Sequence, residues 1–376
     1  MNIVIDARLY GLENGGIGRY IVNLIAELQK NDKKNNYQII LRKKYYNQLK
    51  LSKNFKKHEF DHRHYSITEQ IKLPKTLKGL NPDIVHFPHF NVPVRYEKKF
   101  VVTIHDLLMH RQKGVDATTL SPFKYKIKRL GYRKVIDNAI EKSKYIITPT
   151  KHVKADIVQR YKFAEDKIKP IYEGVDSKFK KVSSKKSDQT LKKFKITRPY
   201  FVYVGSAYPH KNLKRAIEAI VYLNKEHETK FIIVSSKNVF TQRLENLISD
   251  LNAKEYVKLL GFMPDEDLSI LYKSSAGFLY PSLEEGFGLP GLEAIQAGTI
   301  ALASDIPVFK EVYGDAALYF NPFNFESIAK SMLDVIKMKS DKRNYHIAKA
   351  QKHIKKYSWQ KMAKDTLKVY EKAASE

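Results

Sequence analysis

Tyr280-Pro-Ser-Leu-Glu-Glu-Gly-Phe-Gly-Leu-Pro-Gly-Leu-Glu-Ala-Ile-Gln-Ala-Gly-Thr-Ile-Ala-Leu-Ala-Ser304 decides how the rest of the chain is read. A strand-like run, Ala276 to Tyr280, leads into a loop holding Gly286, Gly288 and Pro290. A short helix is expected over Leu289 to Ala297, with a second strand over Ile300 to Ala303. Pro290 at the first helical position and Gly298 just past the end are the expected helix punctuation. Two glycines before a helix N-terminus let a ligand approach bare amides, where the helix dipole favours an anion. Glu285 and Glu293 bracket this turn. Carboxylates grip hydroxyls and amides grip phosphate, so the pattern suits a phosphorylated sugar, whereas a lone Gly-x-Gly would be only a tight turn.

Outward from this stretch, strands alternate with helices along the whole chain. Strands are expected at Asn2 to Asp6, Tyr37 to Leu41, Asp83 to Phe87, Phe100 to His105 and Lys144 to Pro149. A second series runs Tyr200 to Gly205, Lys230 to Ser235, Tyr256 to Leu260, Ala276 to Tyr280, Ile300 to Ala303 and Ala316 to Phe320. Helices fill the gaps, and Trp359 to Lys372 reads as a last one. Residues 176–198, lysine- and serine-rich, read as a surface linker with a short helix near Leu191. The expected architecture is α/β, with two doubly wound parallel-sheet domains. The boundaries are 1–175 with 358–376 for the first domain, 176–198 for the linker and 199–357 for the second. Ligands of such sheets bind at the carboxyl ends of the strands, which places a cleft between the two domains.

Composition narrows the function. The 376 residues contain no cysteine, which rules out disulfides and thiolate metal sites and fits a reducing, cytoplasmic setting. The N-terminus enters a strand at once, with no basic-then-apolar leader, and no apolar run approaches the ~20 residues that span a bilayer. The net charge is +28 and unevenly spread: residues 1–198 carry 44 basic and 19 acidic side chains, the remainder 24 and 21. The excess in the first half points to an anionic partner, a membrane surface or a nucleic acid. No nucleic-acid motif accompanies it, which favours the membrane. In the segment from Pro122 to Ser143, Phe123, Ile127, Leu130, Ile136 and Ile140 are expected to share one face. Lys124, Lys128, Arg129, Arg133 and Lys134 lie beside it, the pattern of a core helix with a solvated basic side or of an interfacial helix.

Several further motifs fall at strand ends. Lys211, in Val204-Gly-Ser-Ala-Tyr-Pro-His-Lys-Asn-Leu213, follows the first strand of the second series, where an ammonium can reach a phosphate. Gly15-Gly-Ile-Gly18 lies between strand one and helix one and lacks the dinucleotide spacing. His105-Asp106 ends a strand. Asp265-Glu-Asp267 opens a helix, where acids serve the dipole. His62-Arg-His64 and His86-Phe-Pro-His89 lack a carboxylate cluster at metal spacing. No metal and no cofactor are expected.

Together these residues resemble the retaining nucleotide-sugar glycosyltransferases of the GT-B fold, specifically glycosyltransferase family 4. The resemblance covers essentially the whole chain. It rests on Glu285-Gly-Phe-Gly-Leu-Pro-Gly-Leu-Glu293, Gly-Gly-Ile-Gly-Arg-Tyr20, Ile-His105-Asp-Leu, Pro-His-Lys211-Asn-Leu, Gly261-Phe-Met-Pro-Asp-Glu-Asp-Leu268 and the terminal Tyr357-Ser-Trp helix. That helix is similar to the one that returns to the N-terminal domain in this fold. The resemblance implies that Glu293 holds the donor ribose and Glu285 the hydroxyls of the transferred sugar. It implies that Gly286 and the amides of Phe287, Gly288 and Leu289 meet the sugar and diphosphate. Lys211 would neutralise the departing diphosphate, Gly16 would admit it to the N-terminal loop, His105 would contact the donor sugar, and backbone near Phe262 would receive the base. The family often has arginines where this chain has Ser206 and His210; Arg19 is the expected compensation. The implied donor is a nucleotide-sugar, with GDP-mannose the first expectation, and the implied acceptor a glycan or glycolipid. A UDP-sugar-dependent transferase and a nucleotide-sugar epimerase on the same fold are the alternatives.

Overall fold

The computed structural model describes residues 1–111, 122–162, 165–180 and 184–376, which divide into two compact units. The first comprises Met1–Gly174 with Ser358–Glu376, the second Val175–Tyr357.

The first unit is a seven-stranded sheet, every pairing parallel. Its strands are β1 (Asn2–Asp6), β2 (Asn36–Leu41), β3 (Phe55–Glu59), β4 (Ile84–Phe87), β5 (Phe100–Thr103), β6 (Tyr145–Thr148) and β7 (Ile168–Pro170), in the order β3-β2-β1-β4-β5-β6-β7. The winding reverses between β1 and β4, and the carboxyl ends there are where such sheets receive ligands. The five expected strands are present. Two more lie at the sheet edges: β3 is Phe-Lys-Lys-His-Glu and β7 is Ile-Lys-Pro, neither with the apolar run of a strand covered on both faces. The strand holding His105 ends at Thr103, so the histidine sits in the following loop.

The C-terminal helix Trp359–Ser375 belongs to this unit. It is capped by Ser358, whose side chain accepts from the Lys361 amide. It buries Trp359, Met362, Thr366, Val369, Tyr370 and Ala373 and packs on the helix Gly15–Asn31 and on β4 to β6. Gly174 lies against it: a Cβ there would meet the Trp359 nitrogen at 2.2 Å.

The helix Pro122–Lys142 departs from its expected packing. At 100° per residue, Phe123, Ile127 and Leu130 fall on one side and Ile136 and Ile140 on another. The structure buries Tyr132, Ile136, Ala139 and Ile140 in the core and exposes Phe123, Ile127 and Leu130. The side chain of Lys124 lies outside the described residues.

The second unit is a six-stranded parallel sheet: β8 (Tyr200–Val204), β9 (Lys230–Val234), β10 (Val257–Leu260), β11 (Gly277–Tyr280), β12 (Ala301–Ser304) and β13 (Ala317–Phe320). Their order is β10-β9-β8-β11-β12-β13, with the reversal between β8 and β11. All six expected strands are present, and the helix Leu289–Ala297 has its expected bounds.

The stretch 176–198 is counted with this unit. It holds a short turn, Ser177–Lys180, and a helix, Ser184–Lys193; residues 181–183 lie outside the described residues. Phe179, Leu191 and Ile196 are buried. Lys178 pairs with Asp265 at 2.6 Å, Lys186 with Glu266 at 3.0 Å and Lys193 with Asp267 at 3.1 Å. The acidic triplet thus opens its helix and also receives lysines from this stretch.

Candidate active site

In the second unit, two loops at the carboxyl edge of the sheet are stitched together at its reversal point. After β8 the chain makes a turn at Pro209–Lys211 and a left-handed residue at Asn212 (φ 57°), a conformation asparagine tolerates better than most. The Asn212 side-chain amide donates to the Pro281 carbonyl at 3.1 Å and the Pro322 carbonyl at 2.8 Å, while the Leu283 amide donates to the His210 carbonyl at 2.8 Å. These bonds fix Lys211 opposite Glu285, and the Lys211 ammonium lies 2.6 Å from Glu285 Oε1. Both side chains are nearly out of water, 13% and 9% exposed. Burial pushes the Glu285 carboxyl up, but Lys211 holds it below its ordinary value. His210 is no substitute for an arginine. Burial and the neighbouring ammonium bring it down to about 4, so it is neutral at pH 7.

Beyond Glu285 the chain enters the helix Leu289–Ala297 through Gly288, which adopts φ 98°. A Cβ at Gly288 would sit 2.4 Å from the Tyr313 hydroxyl, and one at Gly291 2.3 Å from it. That hydroxyl donates to the Gly288 carbonyl at 2.5 Å. Glycine is therefore required at Gly288 by both backbone sign and space. No side chain caps this helix, so its first turn meets its surroundings through backbone amides. Gly286, Phe287 and Leu289 are buried with it, and the Phe287 ring packs edge-on against Tyr357 at 5.5 Å. Glu293 is buried in this helix rather than lying on a solvated face. Phe262 lies on the loop after β10 and is 59% exposed.

In the first unit, the residues singled out lie beyond β1 and β5. Gly15-Gly-Ile-Gly18 does not form a turn ahead of the helix. It is the first turn of the helix Gly15–Asn31, with Gly16 exposed and Gly18 buried. The glycine that packing demands there is Gly18, where a Cβ would meet the Gly11 carbonyl oxygen at 1.9 Å. Arg19 follows on the same helix and is partly buried. His105 is 12% exposed and held on three sides. Its Nδ1 lies 3.2 Å from Glu173 Oε1, its Nε2 3.0 Å from the Pro88 carbonyl, and its ring stands edge-on to Tyr20 at 5.0 Å. Burial lowers the pKa of His105, but Glu173, the Pro88 carbonyl and Asp106 together outweigh it and the net shift is upward.

The second unit thus brings Lys211 together with Glu285 and the Gly286–Glu293 element; in the first, His105 meets the Gly15–Asn31 helix through Tyr20, and Gly16 and Arg19 lie on that same helix. Sequence reasoning did not single out Glu173, Asn212 or Tyr313. Asn212 carried one signal, its position next to Lys211 at a strand-to-helix junction. Glu173 and Tyr313 carried none, because their partners are far away in the chain.

Two family models match the chain: Glycosyltransferase Family 4 over residues 14–179, and Glycosyl transferases group 1 over residues 185–353. The chain is 32% identical over 229 residues to the O-antigen chain mannosyltransferase RfbU of Salmonella typhimurium, a match covering 60% of this chain and 61% of that protein, less than two-thirds of its length. It is 26% identical over 309 residues to O-antigen chain mannosyltransferase B of Escherichia coli, covering 81% of this chain and 78% of the relative. Among solved structures, Alr3699/HepE of Anabaena, in complex with UDP and glucose, superposes with a TM-score of 0.75. The match has 15% identity and covers 99% of each chain.

Proposed function

Because the chain belongs to glycosyltransferase family 4, we propose that it moves a hexose from a nucleotide-sugar to a hydroxyl of a lipid-linked or surface glycan. Mannose from GDP-mannose is the first candidate, since O-antigen mannosyltransferases stand among the relatives. A UDP-sugar is the second, since the HepE structure holds UDP and glucose. The observation that carries the reading is the Lys211–Glu285 pair beside the uncapped helix at Gly288. A buried cation, a carboxylate and a row of amides meet there, the set of groups that a sugar diphosphate needs.

In this reading Glu293 takes the ribose, Glu285 the sugar hydroxyls, and backbone near Phe262 the base. The bond from the sugar C1 to the diphosphate oxygen breaks and the bond from C1 to the acceptor oxygen forms on the same face. The acceptor proton passes to the departing phosphate. Charge developing on that phosphate is the largest barrier term, and in this reading Lys211 and the helix amides lower it, with no metal called for. A diphosphate drawing on Lys211 must share it with Glu285, and His210 adds no charge.

The acceptor is proposed to lie at an anionic membrane on the cytoplasmic side, met by the basic first unit. No helix among the described residues is long and apolar enough to cross a membrane. Instead, the helices Ile67–Gly79 and Pro122–Lys142 bury Leu73, Leu77, Tyr132 and Ile136 in one core cluster and turn Ile67, Ile71, Phe123, Ile127 and Leu130 outward. Lys72, Lys75, Lys126, Lys128, Arg133 and Lys134 are exposed around them. Glu69, the one acid in residues 62–82, is buried against Arg8, and residues 122–136 contain none. Apolar side chains ringed by cations with no exposed carboxylate suit an anionic interface.

The test is a nucleotide-sugar panel. GDP-mannose, UDP-glucose and their nucleotides are screened by thermal shift, followed by product analysis with a lipid-diphosphate-linked glycan. A stabilising nucleotide and acceptor-dependent release of nucleoside diphosphate are expected. No shift with any nucleotide overturns the reading, and sugar interconversion without an acceptor points to an epimerase.

A further inference from the structure

The ring of His105 is held by two groups that can only accept. A peptide carbonyl (Pro88) meets Nε2 at 3.0 Å and a carboxylate (Glu173) meets Nδ1 at 3.2 Å. A neutral imidazole has one N–H and one lone pair, so in this seat one of the two contacts would set lone pair against lone pair. Only the doubly protonated ring satisfies both. Flipping the ring does not help, because it would turn Cδ2 and Cε1 toward the two acceptors and forfeit both bonds. The Tyr20 ring edge closes a third side, and the Tyr20 hydroxyl is itself tied to Thr103. Glu173 is 5% exposed and sits next to Gly174, which Trp359 locks in place, so the carboxylate has little freedom to leave.

We propose that Glu173 is a positioning residue: with the Pro88 carbonyl it holds His105 as a fixed imidazolium, so that this histidine contributes a charge and not a proton to be exchanged. The proposal rests on the reading of the chain as a glycosyltransferase. Within that reading it alters the role of His105. Neither ring nitrogen is spare for a sugar hydroxyl, and the ring is not a general base. The groups that face it fit a single fixed cation. Asp106 and Glu173 are acids, and Tyr20 is neutral. The neighbouring His86 and His89 are both kept neutral by burial, each down to about 3, with the charge of His105 as a further cause.

The experiment is a long-range nitrogen–proton spectrum of the full chain labelled at histidine ring nitrogens, titrated from about pH 5 to 9 across the ordinary histidine range, in wild type and Glu173→Gln. Wild type is expected to show His105 with both nitrogens protonated at pH 7. Glu173→Gln should move its titration to lower pH and leave one neutral tautomer. In parallel, donor turnover is followed against pH with whichever sugar nucleotide the panel selects. The alkaline limb of kcat should move to lower pH in Glu173→Gln while KM for the donor changes less, and Glu173→Asp should recover part of the difference. A neutral His105 at pH 7 in wild type overturns the proposal even if the variant fails to fold. So does a titration unchanged by Glu173→Gln. If no sugar nucleotide is turned over at all, the functional reading fails, while the imidazolium spectrum still decides the state of the pair.

Discussion

Lys211 and Glu285 form one ion pair at 2.6 Å, although they are 74 residues apart in the chain and were expected to serve different parts of the donor. Taking either partner away strands the other charge in a nearly dry site, which costs about 3–5 kcal/mol for a buried pair. Removing both costs less. Lys211→Met and Glu285→Gln are each expected to lower the unfolding midpoint, and the double variant to recover part of the loss. Turnover should behave differently. Lys211→Met is expected to lower kcat by about 10² to 10³, the range for losing one group that stabilises developing charge, with no recovery in the double variant. Denaturant unfolding and steady-state kinetics on the same four proteins check both halves.

Gly288 gives the second prediction. Gly288→Ala combines a left-handed backbone with a Cβ 2.4 Å from the Tyr313 hydroxyl, and a positive φ alone costs about 1–3 kcal/mol. Tyr313→Phe removes the clashing oxygen together with its bond to the Gly288 carbonyl. The double variant should therefore regain part of the stability lost in Gly288→Ala and keep the backbone strain together with a tight contact to Phe309 Cε1 at 3.0 Å. Donor affinity should remain impaired in both, measured as KM or by nucleotide titration, because the turn that aims the helix amides has moved.

How much of this was legible can be traced residue by residue. The six strands of the second sheet were readable because each is an apolar run, as in Lys-Phe-Ile-Ile-Val. Strands β3 and β7 were not, because an edge strand has one side less to cover and keeps lysines and a proline. The Leu289–Ala297 helix was readable from Pro290 and Gly298. Its acid Glu293 was not readable as buried, since a glutamate in a nine-residue helix has no periodic partner to announce which side it faces. The site residues were legible as chemical types. Their pairings were not: Glu173 meets His105 across 68 residues of chain, and only the fold brings them together.

Acid sensitivity follows from four histidines. His64 and His210 are brought to about 4 and His86 and His89 to about 3, burial being the largest cause in each. A base with a depressed pKa contributes stability that is full above its unfolded value near 6.5 and is lost as pH falls toward the folded one. Midpoint temperature should therefore drop steeply from pH 6.5 to 4. His89 is the cleanest probe, because its Nδ1 is buried without a partner and a phenyl ring can replace it. His89→Phe is expected to flatten the acid limb. His105 acts oppositely: its folded pKa is raised, so its contribution is present below about 6.5 and is lost as pH rises through the folded value. Midpoints measured in both directions from neutral check the two signs.

The exposed face of the first unit supplies the last prediction. Phe123 is 74% and Ile67 80% exposed, each at the N-terminal end of a helix whose other side is core. Surface Phe, Ile and Leu scattered singly need no explanation, but here five lie on two helices that share a core cluster, among lysines and arginines. If this face meets anionic lipid, Phe123→Glu with Ile127→Glu should abolish co-flotation with vesicles of phosphatidylglycerol while leaving the fold intact, since neither side chain is in the core. Wild type should bind those vesicles, ignore phosphatidylcholine, and release as salt rises, because the Debye length contracts from about 10 Å at 0.1 M to about 3 Å at 1 M. Turnover of a short water-soluble acceptor should be unchanged in the variant, and turnover of a lipid-linked acceptor in vesicles should fall. Wild type that fails to bind anionic vesicles, or a doubly substituted variant that binds them as well as wild type, removes the membrane from this face.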